Sequence, residues 1–248
     1  MQTPPKDIVE IKREGAVLDI LLTDPDHGNL VSNEAGDKIV AALDALDPAV
    51  KLIRISSTGH DFCKGRISPM PPPGSVVTGH DIRRRVADPA LRVYDAIRHV
   101  PVPVMSVVRG AAAGYGCGLV AASDIAIAAE EAVFLIPELE RNIPPTLVLT
   151  AALGRLPHKA AAWMVMSREP VSAKQACDWG LVSKVVPMAG LQTEVDALSA
   201  TITGYAPEAV AAVKEYLLYA AGLSGAAAIS LAANIAGTAL SARFAGPR

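Results

Sequence analysis

One stretch constrains the fold more than any other: residues 104–138, VMSVVRGAAAGYGCGLVAASDIAIAAEEAVFLIPE. An apolar, β-branched run at Val104–Val108 leads into a loop carrying glycines at 110, 114, 116 and 118. A short apolar segment follows, then a second strand-like run at Asp124–Ala129, and finally Glu138 just after a proline. Glycines at that density let the backbone turn sharply and approach a ligand closely. Their position, after a strand and opening a helix, aims free N–H groups at whatever binds there. The stretch therefore predicts half of an oxyanion hole, with Glu138 as the proton carrier.

Composition narrows the setting. The 248 residues are 51% hydrophobic and only 4% aromatic, so the apolar content is mostly Ala, Val, Leu and Ile. Such a chain packs helices closely and is expected to share apolar surface between subunits. A net charge of −2 argues against a polyanion-binding surface, and no nucleic-acid partner is expected. Cys63, Cys117 and Cys177 are odd in number and form no C-x-x-C pair, which predicts reduced thiols in a cytoplasmic protein. The N-terminal MQTPPKDIVEIKREG has no apolar run of the kind a secretory signal needs. Tyr216–Ala242 carries no charge over more than the ~20 residues a membrane span requires. It is dominated by Ala, Gly and Ser and broken at Gly222–Gly225, so two short helices packed on a neighbour are expected instead.

Around the central stretch the periodicities are regular. Ile8–Lys12 and Ala16–Leu22 read as a hairpin. Ser32 or Asn33 caps a helix to about Leu46, and Leu52–Ser56 is a strand leading to the loop Thr58–Arg66. Ser68–Thr78 is rich in proline and reads either as a loop over the site or as a plain connector. His80–Val100 reads as a helix; its Arg83–Arg85 run suits ligand phosphates or, more commonly, a solvated face. Helices are expected at Thr146–Leu153, His158–Met166 and Ala173–Trp179, then a strand at Leu181–Val186. Three final helices are expected at Gly190–Gly204, Pro207–Ala221 and Ala226–Ala242.

Two other site readings fit the spacing less well. A dinucleotide fold would need a crossover helix, and only Cys117–Ser123 is left for one before the next strand. A nucleophile elbow would place Gly116 at the nucleophile position, with Cys117 out of register. The five histidines are scattered without metal-ligand spacing. What remains is two loops, each following a strand, and a carboxylate. One backbone N–H per loop can grip a carbonyl oxygen, and Leu135, Ile136 and Leu139 would give Glu138 an apolar setting that raises its pKa. Taken alone, Glu138 reads more readily as a surface acid after a proline.

The motifs resemble the crotonase superfamily of enoyl-CoA hydratases and isomerases. Asp61-Phe-Cys-Lys-Gly-Arg66 is similar to its first loop, and Arg109–Gly118 with Ser123–Ile127 to its glycine loop and following strand. Phe134–Leu139 with Ile143-Pro144 resembles the segment bearing a catalytic glutamate, and Ala173–Pro187 a helix-strand exit. The resemblance implies an α/β fold, a spiral of strand-strand-helix units over residues 1–187, with a helical oligomerisation region at 188–248. It implies an acyl-CoA thioester as ligand, with no cofactor beyond the coenzyme A of the substrate, no metal, no membrane, and a trimer or pair of trimers. The catalytic positions carried over are Glu138 and the backbone N–H groups of Arg66 and Tyr115. The substrate-binding ones are Cys63, Lys64, Gly65, Gly114, Gly116 and Gly118. Two-glutamate hydratases carry their other glutamate where this chain has Gly118. That departure favours double-bond migration, with hydration the commoner activity of the family. Thioester hydrolysis, decarboxylation or mere acyl-CoA binding are the alternatives. Glu140 is expected to face away from Glu138 in an extended segment, and Thr146 stands where some dienoyl isomerases have an acid.

Overall fold

The computed structural model describes residues 8–72, 74–241 and 244. A hairpin of β1 (Val9–Glu14) and β2 (Val17–Leu22) leads to α1 (Asn33–Asp44), which the Ser32 hydroxyl caps by accepting the Ala35 N–H at 3.2 Å. Next come β3 (Leu52–Ser57), the short α2 (Gly79–Ile82) and α3 (Asp88–His99). The central stretch forms β4 (Val104–Val108), β5 (Ala111–Ala113), α4 (Tyr115–Ala122), β6 (Ile125–Ala129) and β7 (Val133–Leu135). Then follow α5 (Thr146–Ala152), α6 (His158–Met166), β8 (Val171–Ser172), α7 (Ala173–Asp178) and β9 (Lys184–Val186). The chain continues through α8 (Met188–Thr203), α9 (Pro207–Tyr219) and α10 (Gly225–Ser241).

Six strands make one sheet in the order β1-β2-β3-β4-β6-β9, parallel from β2 onward. β5, β7 and β8 form a second, smaller sheet. Side chains alternate along a strand, so β3, β4 and β6 feed two cores. Ile53, Ile55, Val104, Val108, Ala126 and Ala128 join the larger one with α1, α3 and α4. Leu52, Met105, Val107, Ile127 and Ala129 point the other way, where Leu191, Val195 and Ile202 of α8 cover them. α9 is pinned to this body by one buried cation. Lys214 donates to the carbonyls of Ile97 (3.0 Å) and Val102 (2.9 Å) and pairs with Asp124 at 2.8 Å.

Several expectations need correcting. The helix at 80–100 is interrupted by a π-helical turn at Arg83–Ala87. Pro89 has no N–H to continue the ladder, and the turn before it widens until the Asp88 N–H reaches back to Arg83. Ala111–Ala113, read as loop, is a strand. Contrary to expectation, β4 and β6 do lie parallel as a crossover pair, joined by all of residues 109–124 and not by Cys117–Ser123 alone. Near the C-terminus the break falls as expected, with a turn at Ala220–Gly222 between α9 and α10. No helix among the described residues is long and apolar enough to cross a membrane. Ala242 and residues 1–7, on which part of the secretion reading rests, lie outside the described residues.

Candidate active site

The loops after β3 and β4 meet at the carboxyl ends of parallel strands, where open α/β sheets place their ligands. Asp61 clamps them together. Its Oδ1 accepts the Ala111 N–H at 2.9 Å and contacts His60 Nδ1 at 2.9 Å, while Oδ2 pairs with Lys64 at 2.8 Å. Burial alone would raise the Asp61 pKa, but Lys64, the Ala111 N–H and His60 outweigh it and hold the carboxyl at about 2. Cys63 then pairs with the second loop as a strand would, its N–H donating to Ala111 (3.1 Å) and its carbonyl accepting from Ala113 (2.8 Å). Asn29, in the segment between β2 and α1, braces the first loop from behind. It is buried with φ 54°, and its amide donates to the Thr58 and Asp61 carbonyls at 2.9 and 2.8 Å.

This framework leaves two N–H groups free. On the first loop, Val31 donates to Gly65 and accepts from Ile67, so the N–H of Arg66, between them, points away from that ladder. On the second loop, Tyr115 is the first residue of α4 and its N–H has no carbonyl within the helix to bind. Neither N–H has a partner among the described residues. Gly116 lets the loops approach this closely, since a Cβ there would lie 2.1 Å from the Cys63 carbonyl oxygen.

Glu138 sits over the second loop. Its Oε1 is 2.6 Å from where a Cβ on Gly114 would be, and its Oε2 is buried with no hydrogen-bond partner among the described residues. Burial pushes its pKa up; its own backbone N–H and Arg141 pull the other way without cancelling that. The residue opens a 3-10 turn, Glu138–Arg141, closed by Asn142 at φ 54°. The expectation of an extended segment there was wrong. Glu140 still points elsewhere, and pairs with Arg168 at 3.4 Å. Leu139, expected to shield it, is exposed, while Ile136 is fully buried; Pro137, Ile143, Leu147 and Val148 add apolar wall to the same cavity.

These groups line a cavity of about 430 Å³, within the range of ligand-binding clefts. Of the positions expected from sequence, Lys64, Gly65, Arg66, Gly114, Tyr115 and Glu138 line it. Cys63, Gly116 and Gly118 do not: all three are buried behind its wall and shape it from there. A groove of similar volume beside α3, lined by Asp88, Arg98 and His99 among others, lies away from both loops. Burial pushes the thiols of Cys63 and Cys117 up to about 12, so neither is a thiolate at neutral pH.

The residue that sequence reasoning missed is Tyr94. Its hydroxyl occupies the space beside Gly118, 2.1 Å from where a Cβ would be, and donates to the Tyr115 carbonyl at 3.1 Å. Its ring stacks on that of Tyr115, centroids 5.0 Å apart, and the Arg66 guanidinium lies 5.9 Å from the Tyr115 centroid on that ring's face. Burial, with smaller contributions that include the charge of Glu138, keeps the Tyr94 phenol protonated. Tyr94 lies on α3, and its contact with a glycine of α4 carried no sequence signal.

With this geometry in view, the comparisons with known proteins are decisive. Residues 12–242 match the family model for enoyl-CoA hydratase/isomerase. The chain belongs to that family. It is 33% identical over 181 residues to the human mitochondrial enoyl-CoA hydratase domain-containing protein 3, covering 72% of this chain and 58% of the human protein. The crystal structure of the human protein superimposes with a TM-score of 0.83 at 28% identity, covering 92% of this chain and 90% of that one. A peroxisomal Delta(3,5)-Delta(2,4)-dienoyl-CoA isomerase of Arabidopsis thaliana is 29% identical over 233 residues, 86% of this chain and 81% of its own. A putative enoyl-CoA hydratase from Thermobifida fusca, solved with CoA, shares the fold at TM-score 0.84 and 24% identity over 96% of this chain and 93% of its own.

Proposed function

We propose that this family member moves the double bond of an enoyl-CoA thioester from C3 to C2, and that Glu138 carries the proton. The observation that carries this reading is Tyr94. Its phenol fills the space beside Gly118, which leaves Glu138 as the one carboxylate lining the cavity among the described residues. A single carboxylate suffices to shuttle a proton between two carbons. Holding and activating a water for addition calls for a second acid–base group, and a neutral phenol hydrogen-bonded to a carbonyl does not serve as one.

The chemistry follows from the geometry. The thioester oxygen accepts from the Arg66 and Tyr115 N–H groups. Glu138 removes a proton from C2, and the electron pair moves onto that oxygen as an enolate. One such donor contributes ~2.7–4 kcal/mol of transition-state stabilisation. The enolate pair then returns through C2=C3 as C4 takes the same proton from Glu138, leaving a 2-enoyl thioester. A base with a raised pKa suits both halves of this transfer. The similarity to the Arabidopsis dienoyl-CoA isomerase is consistent with it.

The test is a pair of assays, 3-hexenoyl-CoA followed by growth of the 2-enoyl absorbance and crotonyl-CoA followed by its loss. Isomerisation should exceed hydration, and Glu138→Gln should lose about 10²–10⁴-fold of it. Hydration as the faster reaction, or full isomerase activity in Glu138→Gln, would refute the assignment. We also propose the trimeric or hexameric assembly expected from sequence. Its support is α10, none of whose described residues is buried, together with the exposed Leu217, Tyr219 and Ile229 of the same region.

A further inference from the structure

The side chain of Arg66 has no part in the proton transfer, yet it is the most unusual group in the cavity wall. It is half-buried, and burial pulls its pKa down. Its head is held by the Val86 carbonyl at 2.9 Å, the Ser68 hydroxyl at 3.4 Å and the side-chain oxygen of Asn33. All three acceptors are neutral. They fix the guanidinium in place without offsetting its charge, and none of the ion pairs among the described residues includes it. Asp61 pairs with Lys64 instead, and Glu138, the carboxylate on the cavity wall, forms no ion pair with the guanidinium among the described residues. Its Nε–H has no partner among the described residues and is not fully buried. Buried charges are ordinarily paired, so a fixed cation in a ligand cavity marks where a ligand anion belongs.

Position says which part of the ligand. The backbone N–H of this same residue faces the site where the thioester oxygen would sit, which puts the guanidinium one side-chain length from the acyl carbonyl. It lies over the ring of Tyr115 and is bonded to Asn33 and Val86, both partly buried. The exposed rim next to it carries a different cation, Lys64, better placed for phosphates in solvent.

We propose that Arg66 is a specificity residue for an acyl group bearing a carboxylate, so that the preferred ligands are CoA monothioesters of unsaturated dicarboxylic acids. This rests on the acyl-CoA reading of the cavity, though not on which reaction follows. Matched 3-enoyl-CoA esters of five to eight carbons, ending in methyl or in carboxylate, test it (3-hexenoyl-CoA against 3-hexenedioyl-CoA is one pair). Kd by calorimetry and kcat/KM are both expected to favour the carboxylate at least tenfold at the best chain length. In Arg66→Met, which keeps the backbone N–H, that ratio should fall to one or below, with Arg66→Lys between. Ratios within one preparation are insensitive to the folded fraction, and the Kd ratio stands even if neither ester is turned over. A failed isomerase assay is therefore distinguishable from a failed specificity. A methyl preference at every length overturns the proposal. So does an equal weakening of both esters and of free CoA by Arg66→Met, which would assign the guanidinium to the CoA phosphates.

Discussion

Gly116→Ala measures how much the proposed oxyanion grip depends on the closeness of its two loops. The added methyl would lie 2.1 Å from the Cys63 carbonyl oxygen, 2.8 Å from its Cβ and 2.9 Å from its carbonyl carbon. Ordinary contact begins near 3.4 Å, so the first turn of α4 must retreat by about 1.3 Å (3.4 less 2.1). The Cys63 side cannot yield, being tied to Ala111 and Ala113 on both sides of its peptide. A retreat of that size carries the Tyr115 N–H out of hydrogen-bonding range of a bound oxygen, equivalent to losing one donor, and kcat should fall by about 10²–10³. Overpacking should also cost ~1–3 kcal/mol of stability, a melting-point drop of roughly 2–12 °C for a chain of this size. The assay is 3-hexenoyl-CoA turnover well below the melting point, beside a thermal melt of the same preparation. Gly79→Ala is the control, since nothing lies within 4 Å of its added Cβ. A Gly116→Ala protein that melts lower but keeps its full kcat would sink the assignment of Tyr115 as a donor.

Glu138→Gln should separate activity from stability. The folded pKa of this acid lies above its ordinary value of 4.5, so its charged form destabilises the fold as pH rises through the folded pKa. The variant is expected to melt higher than wild type at neutral pH, with the gain vanishing below pH 4.5, while turnover is lost; equal melting curves at both pH values would contradict the burial argument. In the wild type, kcat/KM should climb with pH as Glu138 ionises, and a flat acid limb would argue against it as the base. Lys214→Met leaves Asp124 and two carbonyls without their cation and should cost ~3–5 kcal/mol, read by denaturant midpoint; a loss under 1 kcal/mol would mean the buried pair contributes little. Sedimentation velocity at micromolar concentration should give a trimer or a hexamer, and a monomer would overturn the assembly proposed from α10.

What could be read in the sequence was what backbone chemistry and order along the chain encode. Gly114 was legible because φ +52° is a glycine conformation, and the helix cap at Ser32 because a hydroxyl before an apolar period has one common use. Two loops, each after a strand, suggested one main-chain donor apiece, and the family resemblance named them as Arg66 and Tyr115, since such donors need position and not identity. Tyr94 was invisible because its role is set by Gly118, 24 residues further on and in another helix. Strand β5 was missed because Ala-Ala-Ala has little strand preference; its form comes from the backbones of Cys63 and β7 on either side. The turn at Glu138–Arg141 depends on Asn142 accepting a left-handed conformation, which nothing nearby advertises.

At positions 66 and 115 the peptide group and the side chain answer to different demands. The peptide is held by the ladder from Val31 to Ile67, and by the start of α4, whatever residue stands there. The Tyr115 side chain is committed to the core, stacked on Tyr94, whereas the Arg66 side chain lies along the cavity wall and can differ without moving its peptide. On the proposed reading, a scaffold arranged this way can change its preferred acyl group by a single substitution at the first-loop donor position without dismantling the grip on the oxygen.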